Sequence, residues 1–85
     1  MTDAHTKQTL GQKVANEVAT LQERSPNRRI GQYLYDALDH VAPHIANEIA
    51  GSDADPYYAE DKSDPSVKTF WLFVAIANHR NHREA

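Results

Sequence analysis

The side chains best suited to ligand chemistry lie in residues 51–64, a segment between two helical patterns. It holds five carboxylates against one lysine: Asp53, Asp55, Glu60, Asp61 and Asp64. Closely spaced carboxylates can bind Ca²⁺, but Tyr57 stands where the third ligand of an EF-hand loop belongs, and the sixth position has no glycine. The pattern favours a solvated acidic loop in which Asp55 shapes a turn before Pro56.

The same segment carries two consecutive tyrosines, Tyr57 and Tyr58. Tyrosine is enriched in binding hot spots, and it can also dock on a helical core as a cover. We predict that at least one of the two rings packs on helices. The candidate binding residues of this acidic loop are Asp53, Asp55, Tyr57, Tyr58, Glu60 and Asp61.

A second candidate for chemistry is the series His40, His44 and Glu48, spaced four residues apart. On a continuous helix these side chains would share one face and could bind a metal ion. Pro43 interrupts the series, because proline removes a helical hydrogen bond. The glutamate that follows the first histidine of metalloprotease helices is also missing. We therefore predict no metal site and no cofactor.

The arginines form two small groups, which could contact nucleic acid: Arg24, Arg28 and Arg29, and then Arg80 and Arg83 beside His79 and His82. Two helices joined at Ser25-Pro26 superficially resemble a helix-turn-helix. The formal net charge of −3 argues against this use, since DNA-binding domains are usually more basic. The second group also suits the negative end of a helix dipole. Nucleic-acid binding stays open as the alternative.

Enzyme signatures are missing from the sequence. There is no cysteine, which excludes disulfides, thiolate zinc sites and cysteine nucleophiles. No Ser/His/Asp order, glycine-rich phosphate loop or catalytic carboxylate pair can be defended. The longest apolar run, Phe70–Ala77, is too short for a membrane span of about 20 residues. We expect a non-catalytic cytoplasmic protein with no membrane association.

Helical periodicity is the main structural signal. It predicts an all-α fold, a compact bundle of four helices with the acidic loop 51–64 before the last. The predicted helices cover about residues 10–24, 26–41, 43–50 and 65–80. Thr9 and Gln12 suit a capping box at the start of the first helix, and Ser25-Pro26 suits the start of the second helix. Gly31 inside the second helix predicts a close crossing with another helix.

The length of 85 residues indicates one domain. We predict a flexible arm over residues 1–8, a helical domain over 9–81 and a tail over 82–85. The predicted core contains Leu34, Leu38, Phe70, Trp71 and Val74. Because Phe70–Ala77 is apolar around the whole helix, we also expect Leu72, Phe73 or Ile76 on a surface that pairs with a second copy, as a homodimer, or with a partner protein.

Residues 29–38 fit the pattern R-x-G-Q-x-x-x-[ND]-A-L. Residues 43–58 fit P-x-[IL]-A-[NE] followed by G-[ST]-x-x-D-P-[FY]-[FY]. Both motifs resemble those of a family of small uncharacterised proteins of bacteria and their phages. The apolar run and the His/Arg ending differ from that family, and the resemblance implies no catalytic residue. It implies a small protein that binds a host protein, such as a modulator or inhibitor of a host factor or defence system.

Overall fold

The computed structural model describes residues 8–84, with the side chains of residues 8–80. Its elements are α1 (Leu10–Arg24), α2 (Ile30–Val41), α3 (Pro43–Ile49) and α4 (Pro65–Glu84). No strand occurs in this part of the chain, which confirms the predicted all-α bundle. The predicted arm lies outside the described residues except for its last one. None of the helices in residues 8–84 has the length and apolar character that a membrane crossing requires.

The start of α1 shows the predicted capping box. The Thr9 hydroxyl oxygen accepts a hydrogen bond from the Gln12 amide at 3.1 Å, and the Gln12 side-chain oxygen accepts one from the Thr9 amide at 2.9 Å. The next free amide, that of Leu10, donates to the side-chain oxygen of Asn78 at 2.9 Å. The beginning of α1 is therefore fixed against the later turns of α4 through backbone groups that a helix cannot satisfy itself.

The start of α2 differs from the prediction. The helix begins at Ile30 instead of Pro26, because Asn27 has a φ of 77° and cannot continue a right-handed helix. Asparagine is one of the residues that tolerates this left-handed conformation. The N-cap position falls on Arg29, whose amide donates to the side-chain oxygen of Gln32 at 3.2 Å. Residues 25–29 form a turn between α1 and α2.

The other boundaries lie close to those predicted. Pro43 ends the α2 pattern and occupies the first turn of α3, and Ala42 separates the two helices. The third helix ends at Ile49, one residue before its predicted end. The last helix continues to Glu84, so residues 82–84 of the predicted tail are helical.

The core is formed by side chains of all four helices, and it contains four of the five residues that were predicted to be in the core. Leu34, Leu38, Phe70 and Val74 are buried as predicted. Trp71 is only partly buried, so its assignment to the core interior was wrong. Its ring meets Phe70 edge to face with 5.1 Å between centroids. The acidic loop also contributes to the core through two buried alanines, Ala54 and Ala59.

Candidate binding site

The acidic loop begins with a helix stop and an ordered turn. Gly51 has a φ of 79°, the left-handed conformation that commonly ends a helix. One carboxylate oxygen of Asp55 accepts from the Gly51 amide at 2.8 Å, and the other accepts from the Tyr57 amide at 3.0 Å. This confirms the predicted turn at Asp55-Pro56. Both oxygens of Asp55 are used inside the loop, so this carboxylate serves structure.

The loop then lies directly on the first turn of α2. The Gly31 amide donates to the carbonyl oxygen of Ala59 at 3.0 Å. A Cβ built on Gly31 would lie 1.7 Å from the carbonyl oxygen of Pro56. The glycine is needed because loop backbone occupies the space of a side chain. The predicted helix crossing at Gly31 was therefore wrong, since the close neighbour is the loop.

Arg29 holds the two tyrosines of the loop. Its guanidinium carbon lies 5.4 Å from the Tyr57 ring centroid and 5.5 Å from that of Tyr58. A terminal nitrogen donates to the Tyr57 carbonyl oxygen at 3.4 Å. Its Nε is buried without a hydrogen-bond partner. Cation–π attraction offsets part of this desolvation. The sequence indicated both motifs but gave no reason to join Arg29 to Tyr57.

Tyr57 is the tyrosine that packs on helices, as predicted for at least one of the pair. Its ring meets Tyr35 edge to face at 6.0 Å, and its hydroxyl accepts from the Gln32 side-chain nitrogen at 3.4 Å. The Tyr35 hydroxyl donates to the carbonyl oxygen of Ala46 at 3.4 Å. Burial raises the pKa of Tyr35, and the nearby carboxylates, led by Asp39, act in the same direction. Tyr57 therefore fixes the loop to α2, and Tyr35 connects α2 with α3.

The remaining candidate residues of the acidic loop face solvent. Tyr58 is 81% exposed, although its ring contacts both Tyr57 and Arg29. Asp53, Glu60 and Asp61 are also exposed. Of the six candidates, Asp55 and Tyr57 are used in fixing the loop and four remain accessible to a partner. The exposed ring of Tyr58 and three carboxylates therefore lie on a loop that is held by the contacts of Asp55, Tyr57 and Gly31.

A second exposed surface is the outer face of α4, which we define by Leu72, Ile76, Lys68, His79 and Arg80. Leu72 and Ile76 are 56% and 58% exposed. Each lies two residues from the buried Val74, so it points about 200° away from that side chain. The prediction of exposed apolar residues on this helix is confirmed for these two. Phe73 is partly buried against the core.

The arginines proposed for nucleic-acid binding do not form one surface of free cations. Arg28 pairs with Asp36 at 3.5 Å, and Arg80 pairs with Glu48 at 3.4 Å. Arg29 lies beside the rings of both Tyr57 and Tyr58. Arg24 is exposed at the end of α1 and makes no ion pair within the described residues. The side chain of Arg83 lies outside the described part.

The histidine series is divided among different partners. The Nδ1 of His40 lies 2.9 Å from a carboxylate oxygen of Glu17 on α1. Glu48 instead pairs with Arg80. Within the side chains that the structure describes, no three His, Asp or Glu groups converge as metal ligands.

Comparisons of the chain with protein-family models, with curated proteins and with solved structures found no match. The resemblance of residues 29–38 and 43–58 to small bacterial and phage proteins therefore stays a prediction. What the structure adds is that these two motifs meet in space, at Gly31 and at Arg29. The contact gives Arg29, Gly31 and Tyr57, three residues of these motifs, a role in packing.

Proposed function

We propose that this protein is a non-catalytic binding module and that the outer face of α4 contacts a partner protein. The single observation that carries the proposal is the exposure of Leu72 and Ile76, one turn apart and pointing away from the core. Fully burying an aliphatic side chain of this size contributes about 1.5–3 kcal/mol. Because both residues are already partly covered, a partner would gain roughly half of that from each.

The charge of this surface indicates the chemistry of the partner. Lys68 and Arg80 lie four residues from Leu72 and Ile76, and residues 65–80 contain no acid. The apolar pair is thus flanked by Lys68 toward the start of the helix and by Arg80, which also pairs with Glu48 at 3.4 Å, toward its end. An acidic amphipathic surface of a second protein would complement it, since opposite charges steer association and fix register.

Self-association through the same face is less favourable. A two-fold pairing of antiparallel α4 helices centred on Val74 would place Lys68 of one copy opposite Arg80 of the other. A parallel pairing would place Lys68 opposite Lys68 of the second copy, and Arg80 opposite Arg80. Like charges meet in either arrangement, and the half-exposed Glu48 that pairs with Arg80 offsets only part of this repulsion, which opposes a homodimer. We therefore favour a different protein as the partner over a second copy.

The acidic loop offers another contact surface of opposite charge. Tyr58, Asp53, Glu60 and Asp61 are exposed, and the contacts of Arg29 and Gly31 hold the loop in one shape. A preorganised loop loses little conformational entropy on binding. The nucleic-acid alternative has less support, because Arg28, Arg29 and Arg80 already contact other groups of the chain.

The biological role of such a module is a further step of the proposal. The resemblance to small bacterial and phage proteins supports a modulator or inhibitor of a host factor or defence system. That step depends on analogy between sequences, whereas the contact surface depends on exposure and charge.

Affinity capture with three baits tests the contact surface. The baits are the wild-type protein, a Leu72→Glu/Ile76→Glu variant and an Ala19→Glu control, since Ala19 is exposed on α1. We expect proteins from a bacterial lysate that bind the wild type and the control equally and are lost from the α4 variant. Circular dichroism establishes that all three baits are folded. If no captured protein depends on the α4 substitutions, the proposed contact surface is wrong.

A further inference from the structure

A groove of about 510 Å³ opens between α1, α2 and α4. Its apolar lining comes from all three helices: Ala15, Val18, Ile30, Leu34, Val67 and Trp71. Leu34 and Val67 are buried, whereas Val18, Ile30 and Trp71 are only partly covered. The groove is therefore a place where the core itself is open to solvent. The outer face of α4 shares Lys68 with the groove, but neither Leu72 nor Ile76 lines the groove.

The groove stays open because α1 presents a small side chain there. Ala15 is an exposed residue that lines the groove with only a methyl group. On the other side stands Trp71, whose ring contacts Phe70 but is not enclosed. An incompletely covered tryptophan and several aliphatic side chains favour an apolar occupant, since its burial removes further apolar surface from water.

Charge adds a second requirement. Lys62 from the acidic loop and Lys68 from α4 also line the groove. Neither forms an ion pair with any described residue. Three carboxylates lie within two residues of Lys62. Asp61 accepts from the Ser63 amide at 2.8 Å, Asp64 accepts from the Ser66 amide at 2.9 Å, and Glu60 is exposed and forms no ion pair with a described residue. An anionic group at this groove would meet two ammonium groups that have no carboxylate partner.

We propose that this groove binds a small carboxylate with an apolar tail, of the fatty-acid class. The tail lies along the aliphatic lining against Trp71, and the carboxylate lies near Lys62 and Lys68. The groove has a volume within the range of small-molecule sites, about 300–1,000 Å³. A mostly apolar lining with a few convergent polar groups is the usual composition of such sites.

The chain itself supplies the probe for a test, because Trp71 is its only tryptophan. Purified protein is titrated with dodecanoate below the concentration at which micelles form, and tryptophan emission is followed. We expect a saturable change in emission as the ring leaves water, with one ligand per chain by calorimetry. Dodecyltrimethylammonium has the same tail and the opposite charge, and it should bind distinctly more weakly.

Variants locate the ligand. Ala15→Phe fills the groove from an exposed position and should abolish the response, whereas Ala19→Phe, exposed on the same helix outside the groove, should retain it. Lys62→Gln/Lys68→Gln should weaken binding roughly 2- to 30-fold, the range expected for two exposed charge contacts. Lys13→Gln is the matched control, because this exposed lysine does not line the groove.

Three results would overturn the proposal: no saturable response to dodecanoate, an unchanged response in Ala15→Phe, or equal binding of the cationic analogue. The outcome is distinguished from that of the proposed protein contact by variants that leave the shared Lys68 unchanged. Leu72→Glu/Ile76→Glu should still bind dodecanoate, and Ala15→Phe should still capture the partner of the α4 face. Each proposal can fail while the other stands.

Discussion

Gly31 and Pro56 are in direct backbone contact. A Cβ at position 31 would lie 1.7 Å from the Pro56 carbonyl oxygen and 2.9 Å from the Ala59 amide nitrogen. No rotation of a side chain can relieve such a clash, because both neighbouring groups are backbone. The docking of the acidic loop on α2 therefore depends on the missing side chain, and it brings Arg29 beside Tyr57.

Replacing this glycine gives the first prediction. Gly31→Ala should lower the free energy of unfolding by about 3 kcal/mol, the upper end of the usual cost of overpacking. The loss should appear although alanine gains about 1 kcal/mol in helix propensity. Urea denaturation measures the effect. Gly11→Ala is the control, since its Cβ would meet its nearest neighbours at an ordinary 3.9 Å, and it should leave stability unchanged or raise it. Equal effects of the two changes would contradict the assigned role of the loop contact.

The second prediction concerns Arg29, which lies beside the rings of Tyr57 and Tyr58. Arg29→Lys keeps the charge but loses the guanidinium that lies within 5.5 Å of both ring centroids and donates to the Tyr57 carbonyl oxygen. We expect a loss of about 1–2 kcal/mol in unfolding free energy, from cation–π contacts and one hydrogen bond. Arg28→Lys alters only the exposed ion pair with Asp36 and should change the unfolding free energy by less than about 0.5 kcal/mol. If the NMR resonances of the Tyr57 ring do not shift in Arg29→Lys, the cation–π contact of Arg29 with Tyr57 is contradicted.

Sequence periodicity could predict the helices because their apolar residues recur at helical spacing around one core. Leu34 and Leu38 lie one turn apart on α2 and are both buried, as that spacing requires. The end of α2 was predictable from Pro43, because a proline has no amide hydrogen and interrupts a helix whatever its surroundings. Its start was not, because Ser25-Pro26 is a good local start signal and the left-handed Asn27 depends on the surrounding turn.

The contacts of the candidate sites were harder to predict, since they join residues far apart in sequence. Asp55 was correctly expected to shape a turn, a local property of Asp-Pro. The contact of Arg29 with Tyr57 spans 28 positions and has no local signal. The open groove beside Trp71 depends on how three helices diverge, whereas periodicity only marks Trp71 as facing inward. The same limit explains why Gly31 was assigned to a helix crossing.

The third prediction compares a buried and an exposed residue of α4. Phe70 is fully buried, so Phe70→Ala should cost about 3–5 kcal/mol, a large part of the stability of so small a domain. Leu72→Ala removes a side chain that is 56% exposed and should change stability by about 0.5 kcal/mol or less. Thermal unfolding followed by circular dichroism checks both. A melting temperature of Phe70→Ala equal to that of the wild type would refute the core assignment.

The last prediction is a dependence of stability on pH at the start of α4. Hydrogen bonds from the Ser66 hydroxyl and then from its amide lower the pKa of Asp64 below its usual value of 3.8. The Ser63 hydroxyl and amide act on Asp61 in the same way. A carboxyl group whose pKa is lower in the folded state binds its proton more weakly there. Its contribution to stability is therefore present above its unfolded pKa and is lost as the pH falls through the folded value.

Asp64→Ala tests this assignment, because alanine removes the acceptor of the two Ser66 hydrogen bonds. We expect the variant to melt below the wild type at about pH 7, with the gap narrowing as the pH falls below the unfolded pKa and closing once Asp64 is protonated in both states. Asp53→Ala is the matched control, an exposed aspartate of the same loop. Its gap from the wild type should be small at every pH. A gap for Asp64→Ala that persists unchanged to the lowest pH would show that the ionised carboxylate does not stabilise this helix start.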